Sequence, residues 1–445
     1  MSRIKRKASL GATAVAVSLC ATMALAGCAG TSGASSATSG TGSPSASSSV
    51  AASASGESAS SSADAAASAA SASAQSSATT QTIESSADGE HAITADGTHD
   101  TYANVAVVKT GDANDENADF YGDNAAIFAT NGATLDLDGI TVNTDGSHAN
   151  GVFSYGEGTT VNVSNSVIET SGNGSGGIMT TGGGTMNAAN LTIHTTGNSS
   201  AAIRSDRGGG TVTVTGGTYT AEGKGSPSIY STADITVNDA TLESTSAQGI
   251  VIEGRNSVTL NDVDLTASNV SKNSNKSPYY QAVMIYQSMS GDAKEGEAHF
   301  AMNGGTLTNK NGDVFFVNNT ATTIELSGAT ITNEDESGVF LRAAAAGWGK
   351  EGSNGGRVKL NATNQVIDGD LLVDSISTLA LNLSDGSQLT GAINPENASS
   401  DVSVTIDAGS TWTLTGDSYV TSLDNSGTID LNGHALYVNG ELYSA

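Results

Sequence analysis

The sequence predicts an all-β fold, a right-handed parallel β-helix of about 10–12 coils with three strands per coil, and three residue columns carry that prediction. The first column stands where one short strand gives way to the next: Gly139, Asn165, Asn190, Gly216, Asp239, Asp262, Gly304 and Gly328. Gly, Asn and Asp accept a left-handed backbone at low cost, so every repeat makes the same tight bend. Three residues after the bend stands an apolar column: Val142, Ile168, Ile193, Tyr219, Leu242, Leu265, Leu307 and Ile331. Two residues before it stands another: Leu137, Val163, Ala188, Val214, Val237, Leu260, Met302 and Leu326. Two strands therefore turn one face to a shared interior. The third strand follows from Ile127, Val152, Ile178, Ile203, Ile229, Ile250, Val283, Phe315, Phe340 and Leu372, which recur every 21 to 33 residues. A unit of that size cannot bury its apolar face alone, so the stack itself supplies the core.

The chain opens with Arg3, Lys5, Arg6 and Lys7 before an uncharged run ending Leu25-Ala26-Gly27-Cys28, the pattern of a secretory signal over 1–27. The closing triplet resembles the lipobox of bacterial lipoproteins, which implies that Cys28 is the lipidated first residue of the mature chain. Cys20 falls inside the removed segment, so no disulfide is available to the mature protein. The expected location is the extracellular face of the bacterial cell membrane, held there by the lipid. From Cys28 to 88 the chain is almost wholly Ser, Ala, Thr and Gly, too poor in apolar surface to offset the entropy of ordering. That reads as a disordered tether. Residues 89–123 read as an N-terminal cap, with Val105, Val107 and Val108 as a strand closing the open end.

The 445-residue chain carries a formal charge of −28, and −32 once the basic signal segment is gone. Such acidity excludes nucleic acid as a partner and suits a solvated extracellular surface. Asp112, Asp115, Glu116 and Asp119 cluster ahead of the first full repeat. They admit two readings: a solvated loop, or a calcium site, since that ion favours grouped carboxylates and carbonyls. Their spacing is not that of an EF-hand loop.

The coils proper span 124–399. One residue beyond the inward third-strand column lies a second, largely apolar column: Phe128, Phe153, Met179, Arg204, Tyr230, Val251, Met284, Phe316, Leu341 and Val373. Strand alternation turns it outward. Either the long insertions at 267–280, 287–297 and 343–356 fold back over it, or it is a groove for a ligand or partner. Within it Arg204, Asp206 and Arg207 stand close in sequence, with Glu253 and Arg255 two coils on and Tyr230 and Tyr286 beside them. Arginine, carboxylate and tyrosine together suit a sugar or uronate, and suit a surface ion-pair ladder equally. The six histidines form no metal or triad pattern; His194 joins Glu169 and Glu243 in an outward polar column. Residues 400–445 add further β coils, with Trp412 expected in their core.

Stretches such as 148–163 and 200–217 resemble the pectate-lyase-like superfamily, and more closely its exported, adhesin-like bacterial β-helices. The resemblance implies fold and export. In the polysaccharide lyases of that superfamily, calcium-binding carboxylates stand beside an Arg or Lys base. Here Asp206 and Glu253 lie two coils apart, about 10 Å by strand spacing, which does not suit a shared ion. The function expected is a non-catalytic adhesion or binding module for a polysaccharide or a cell-surface protein. The competing expectation is a polysaccharide lyase or glycoside hydrolase acting on an acidic polysaccharide. A purely structural surface protein is the third.

Overall fold

A computed structural model describes residues 81–444 except Glu116 and Asn273. The signal segment 1–27, Cys28 and the tether as far as residue 80 lie outside the described residues. Parallel strands stack coil upon coil. An 11-stranded sheet runs from Ile93–Asp96 through Ile203–Ser205 to Asp370–Val373 and holds the third strands, and a 21-stranded sheet holds most of the strands on either side of the bend. Smaller sheets of four and three strands complete the C-terminal coils. Among the described residues the strand pairings are parallel except that of Leu436–Val438 with Glu441–Leu442. The fold is the right-handed parallel β-helix that the columns predict, in keeping with the hand of parallel crossovers.

Each bend residue of the first column has positive φ, from 50° at Asn165 to 68° at Gly216. Asn104, Asn364 and Asp385 extend the column at both ends, with φ of 53°, 47° and 53°. The bends also bond to one another, since Asn165 Nδ2 donates to Asp138 Oδ1 at 2.8 Å. Inside the coils the apolar columns form one continuous core from Ile93 to Leu436, which includes Tyr219 and Phe300. Trp412 is fully buried there, and its indole Nε1 donates to the Gly391 carbonyl at 2.9 Å.

Two expectations change. The β-helix starts before the expected residue 124, because Gln81–Ser85 already pairs in parallel with Val105–Lys109. Ile93–Asp96 and His99–Ala103 pair with Ile127–Thr130 and Thr134–Asp138. The segment read as a cap thus holds strands of ordinary coils and, near its end, a short helix, Asn117–Tyr121. The register also shifts near the last long insertion. Phe315 pairs with Leu341, Phe316 with Arg342, and Leu341 with Leu371, with an irregularity between Val339 and Leu341. A bulge adds one residue there, so Arg342 and Leu372 stand in the outward column in place of Leu341 and Val373. Phe340 stays buried nonetheless, 5.5 Å from Phe315 between ring centroids.

Candidate functional site

The outward column of the 11-stranded sheet is roofed. Toward the C-terminal end Val251, Met284, Tyr286 and Phe316 pack with Ala344 and Trp348 from the 343–356 insertion, and Tyr279 joins from the 267–280 insertion. Trp348 meets Tyr286 edge-on at 5.0 Å, and Tyr279 meets Phe316 at 5.4 Å. Arg342 holds this cover in place: it bonds to both carboxylate oxygens of Asp313 at 2.7 and 3.1 Å and stacks 4.1 Å over the Tyr279 ring. Burial pushes the Asp313 carboxyl up, and Arg342 opposes that shift. Toward the N-terminal end Ala125, Phe153 and Met179 form a smaller buried group beside the short helix.

Between these covers lie the charged residues singled out in the sequence. Arg204 Nη2 bonds to Asp119 at 3.1 Å and to Asp206 at 3.2 Å, while Nη1 donates to the Gly174 carbonyl at 3.1 Å. His148 approaches the same Asp119 oxygen at 3.1 Å. All three charged side chains are buried, so each needs its partners. Burial alone would raise the Asp119 carboxyl, but Arg204 and His148 outweigh it and hold it below the usual carboxylate range. Asp206 goes the other way: burial dominates, Arg204 compensates only partly, and the carboxyl is pushed up to about 7. One arginine between two buried carboxylates does not charge-balance both.

Two coils further on, Glu253 is buried and accepts hydrogen bonds from Tyr230 at 2.6 Å, Tyr286 at 3.0 Å and the Ser288 hydroxyl. Burial, then the neighbouring Glu253 carboxylate, raises both phenols well above their ordinary value. Arg207 leaves the buried cluster, bonding to Asp292 of the 287–297 insertion at 2.5 Å and lying 3.7 Å over the Phe120 ring. Arg255 is exposed beside Gly296 and takes no part in either cluster.

The structure therefore gathers five of the seven predicted residues, as two internal networks rather than one open set, while Arg207 and Arg255 lie outside both. Partners that sequence reasoning did not supply are Asp119, His148, Asp292 and Ser288. Asp119 stood among the calcium candidates; it turns inward to Arg204. The other candidates divide as well. Asp115 accepts from the Asn117 backbone N–H at 3.0 Å, capping the short helix, and Asp112 accepts from the Ser147 backbone N–H at 2.8 Å. Glu116 lies outside the described residues. Among the described residues no group of three or more His, Cys, Asp or Glu side chains is arranged to hold a metal. His194 sits level with Glu169 in register and pairs with Glu222 at 2.9 Å, on the wall of an open hollow of about 260 Å³ on another flank.

What fold and geometry define is a parallel β-helix whose outward face on the 11-stranded sheet is covered and whose buried charges on that face are paired with one another or hydrogen-bonded to tyrosine. Comparison with known proteins adds no relative: no family model, no curated protein and no solved structure matches this chain.

Proposed function

We propose that this chain is a non-catalytic binding module, exported and displayed at the cell surface on a lipid anchor at Cys28, that engages a glycan or a cell-surface protein. The observation behind this reading is the roofed outward face of the 11-stranded sheet. Its carboxylates answer to Arg204, His148, Tyr230, Tyr286 and Ser288 rather than to an open cleft. A general acid or base must reach the proton that it transfers, and Glu253 is enclosed by its own three donors. The strong acidity of the chain suits display in solvent and long-range repulsion from anionic surfaces.

One observation favours a second reading, a polysaccharide lyase or hydrolase. Asp206, with its carboxyl pushed up to about 7 beside Arg204, has the acidity of a group that exchanges protons near neutrality. The test incubates the whole chain with acidic and neutral polysaccharides, with and without calcium, and records both retention and release of shorter chains. Retention without release is expected. Release that disappears in Arg204→Ala would replace the binding reading with catalysis. The anchor has its own test, since Cys28→Ser should move the protein from the membrane fraction to the medium.

A further inference from the structure

At the N-terminal end of the roofed face the aromatic rings come to the surface. His91 and Phe128 stack at 4.6 Å and 15°, and Phe128 lies 6.4 Å from Tyr155 at 23°. The three rings lie on successive coils, each offset along the strand from the next. On the next coil Thr181 stands level with Tyr155, buried with its hydroxyl on the Phe120 carbonyl, and Gly182 just after it puts no side chain against the edge of the Tyr155 ring. A Cβ there would come within 3.0 Å of the Tyr155 ring, and its φ of 62° favours glycine in any case. A Cβ on Gly208, one coil further, would run into the Gly182 backbone at 2.8 Å. Bare backbone thus forms a shelf beside the ring.

Two walls rise from this shelf. One is Tyr121, the last residue of the short helix, 41 % exposed and edge-on to Tyr155 at 5.9 Å and 86°. The other is Arg207, whose side chain is 44 % exposed, paired with Asp292 and backed by the Phe120 ring. Arg207 is anchored to the shelf, since its carbonyl accepts from the Gly182 N–H at 2.9 Å. Tyr155 and Arg207 stand two coils apart, about 10 Å by strand spacing, which a disaccharide spans.

We infer that this notch, made by Tyr121, Tyr155, Gly182, Arg207 and Asp292, is a subsite for a neutral glycan of equatorially substituted pyranose rings. This rests on the binding-module reading and gives it a place and a ligand class. The C–H face of such a ring is apolar and packs on tyrosine, while the absence of a side chain at Gly182 permits close approach. An arginine–carboxylate pair offers donors and acceptors side by side, which matches adjacent sugar hydroxyls. Neutrality follows from charge. Asp292 already answers Arg207, and a chain of −28 repels a polyanion at long range. The two tyrosines bring large contact area with few rotatable bonds, so little ordering entropy opposes binding.

Calorimetric titration of the full chain with cellohexaose and with hexagalacturonate tests this. Cellohexaose should bind more tightly than hexagalacturonate. Tyr121→Ala and Arg207→Gln, both at exposed side chains, should each weaken it at least tenfold with an unchanged circular dichroism spectrum. Tyr419→Ala, in the stacked Tyr419–Tyr437 pair among the C-terminal coils, should leave it unchanged. Cellohexaose binding that survives both notch substitutions, or is lost in Tyr419→Ala, overturns the assignment of the site while leaving a binding module. No cellohexaose binding, or tighter binding of hexagalacturonate, overturns the ligand class. In the first case, retention on another glycan of the polysaccharide panel tells whether the broader reading also falls.

Discussion

Arg204 shows what a single side chain decides in this fold. Its guanidinium stands between Asp119 and Asp206, away from solvent, so removing it strands two carboxylates in surroundings that oppose charge. Arg204→Met should lower stability by about 3–5 kcal/mol, read from the denaturant midpoint; a change near zero would mean that water reaches the cluster. Asp206 carries the pH dependence. Its carboxyl sits at about 7 when folded against 3.8 for the free group, so between those values the folded state holds a proton that the unfolded chain has released. The contribution of this group to stability therefore falls as pH rises from about 4 to about 7 and is level above that. Asp206→Asn stays neutral throughout. The stability of the variant relative to the parent should climb across that window, and a flat difference would rule out the raised carboxyl.

At the level of elements, the covers are what distinguish this β-helix from a bare ladder. The 343–356 insertion seats Trp348 on Tyr286 and is fastened by backbone bonds such as Gly347 N to the Lys276 carbonyl at 2.7 Å. Trp348→Ala should cost about 3 kcal/mol by the cavity that it leaves, and dye binding should report the uncovered apolar column. The short helix Asn117–Tyr121 depends on fewer contacts: Asp119 to Arg204, the Thr181 hydroxyl to the Phe120 carbonyl at 2.7 Å, and Arg207 over Phe120. Its close seating requires Gly122, whose φ is 81° and whose Cβ would meet the Phe128 ring at 2.6 Å. With Asp119→Asn, amide exchange at 117–121 should quicken while the 184–195 strand stays protected; protection lost in both would mean that the helix and the coil open as one unit.

For the whole molecule, charge and stacking pull in opposite directions. Coils touch mainly their neighbours, so core burial accumulates along the axis, while a net charge of −28 works against compaction. Raising sodium chloride from about 0.02 to about 0.5 M shortens the screening length severalfold. The unfolding temperature should rise with it. A fall would show that the attractive pairs, such as Lys310 with Glu334 at 2.6 Å, outweigh the repulsion.

The coil is legible in residue order alone: the bend residues, the inward columns and the outward apolar column are set by short-range sterics and by alternation, and each recurs often enough to be read. That order did not mark where the stack begins, because Gln81–Ser85 is a short polar strand with no large apolar residue besides Ile83. Nor did it settle the register at Val339-Phe340-Leu341, where three successive apolar residues leave alternation without a preference. The clusters were legible on one side only. Arg204, Tyr230 and Glu253 lie on repeating strands whose faces the period predicts, and Asp206 directly follows one. Asp119 and Asp292 each stand 85 residues from the arginine they meet, on a helix and an insertion that the period does not describe. Tertiary structure alone decided those pairings, because how an insertion folds back depends on what it finds to bury and to neutralise.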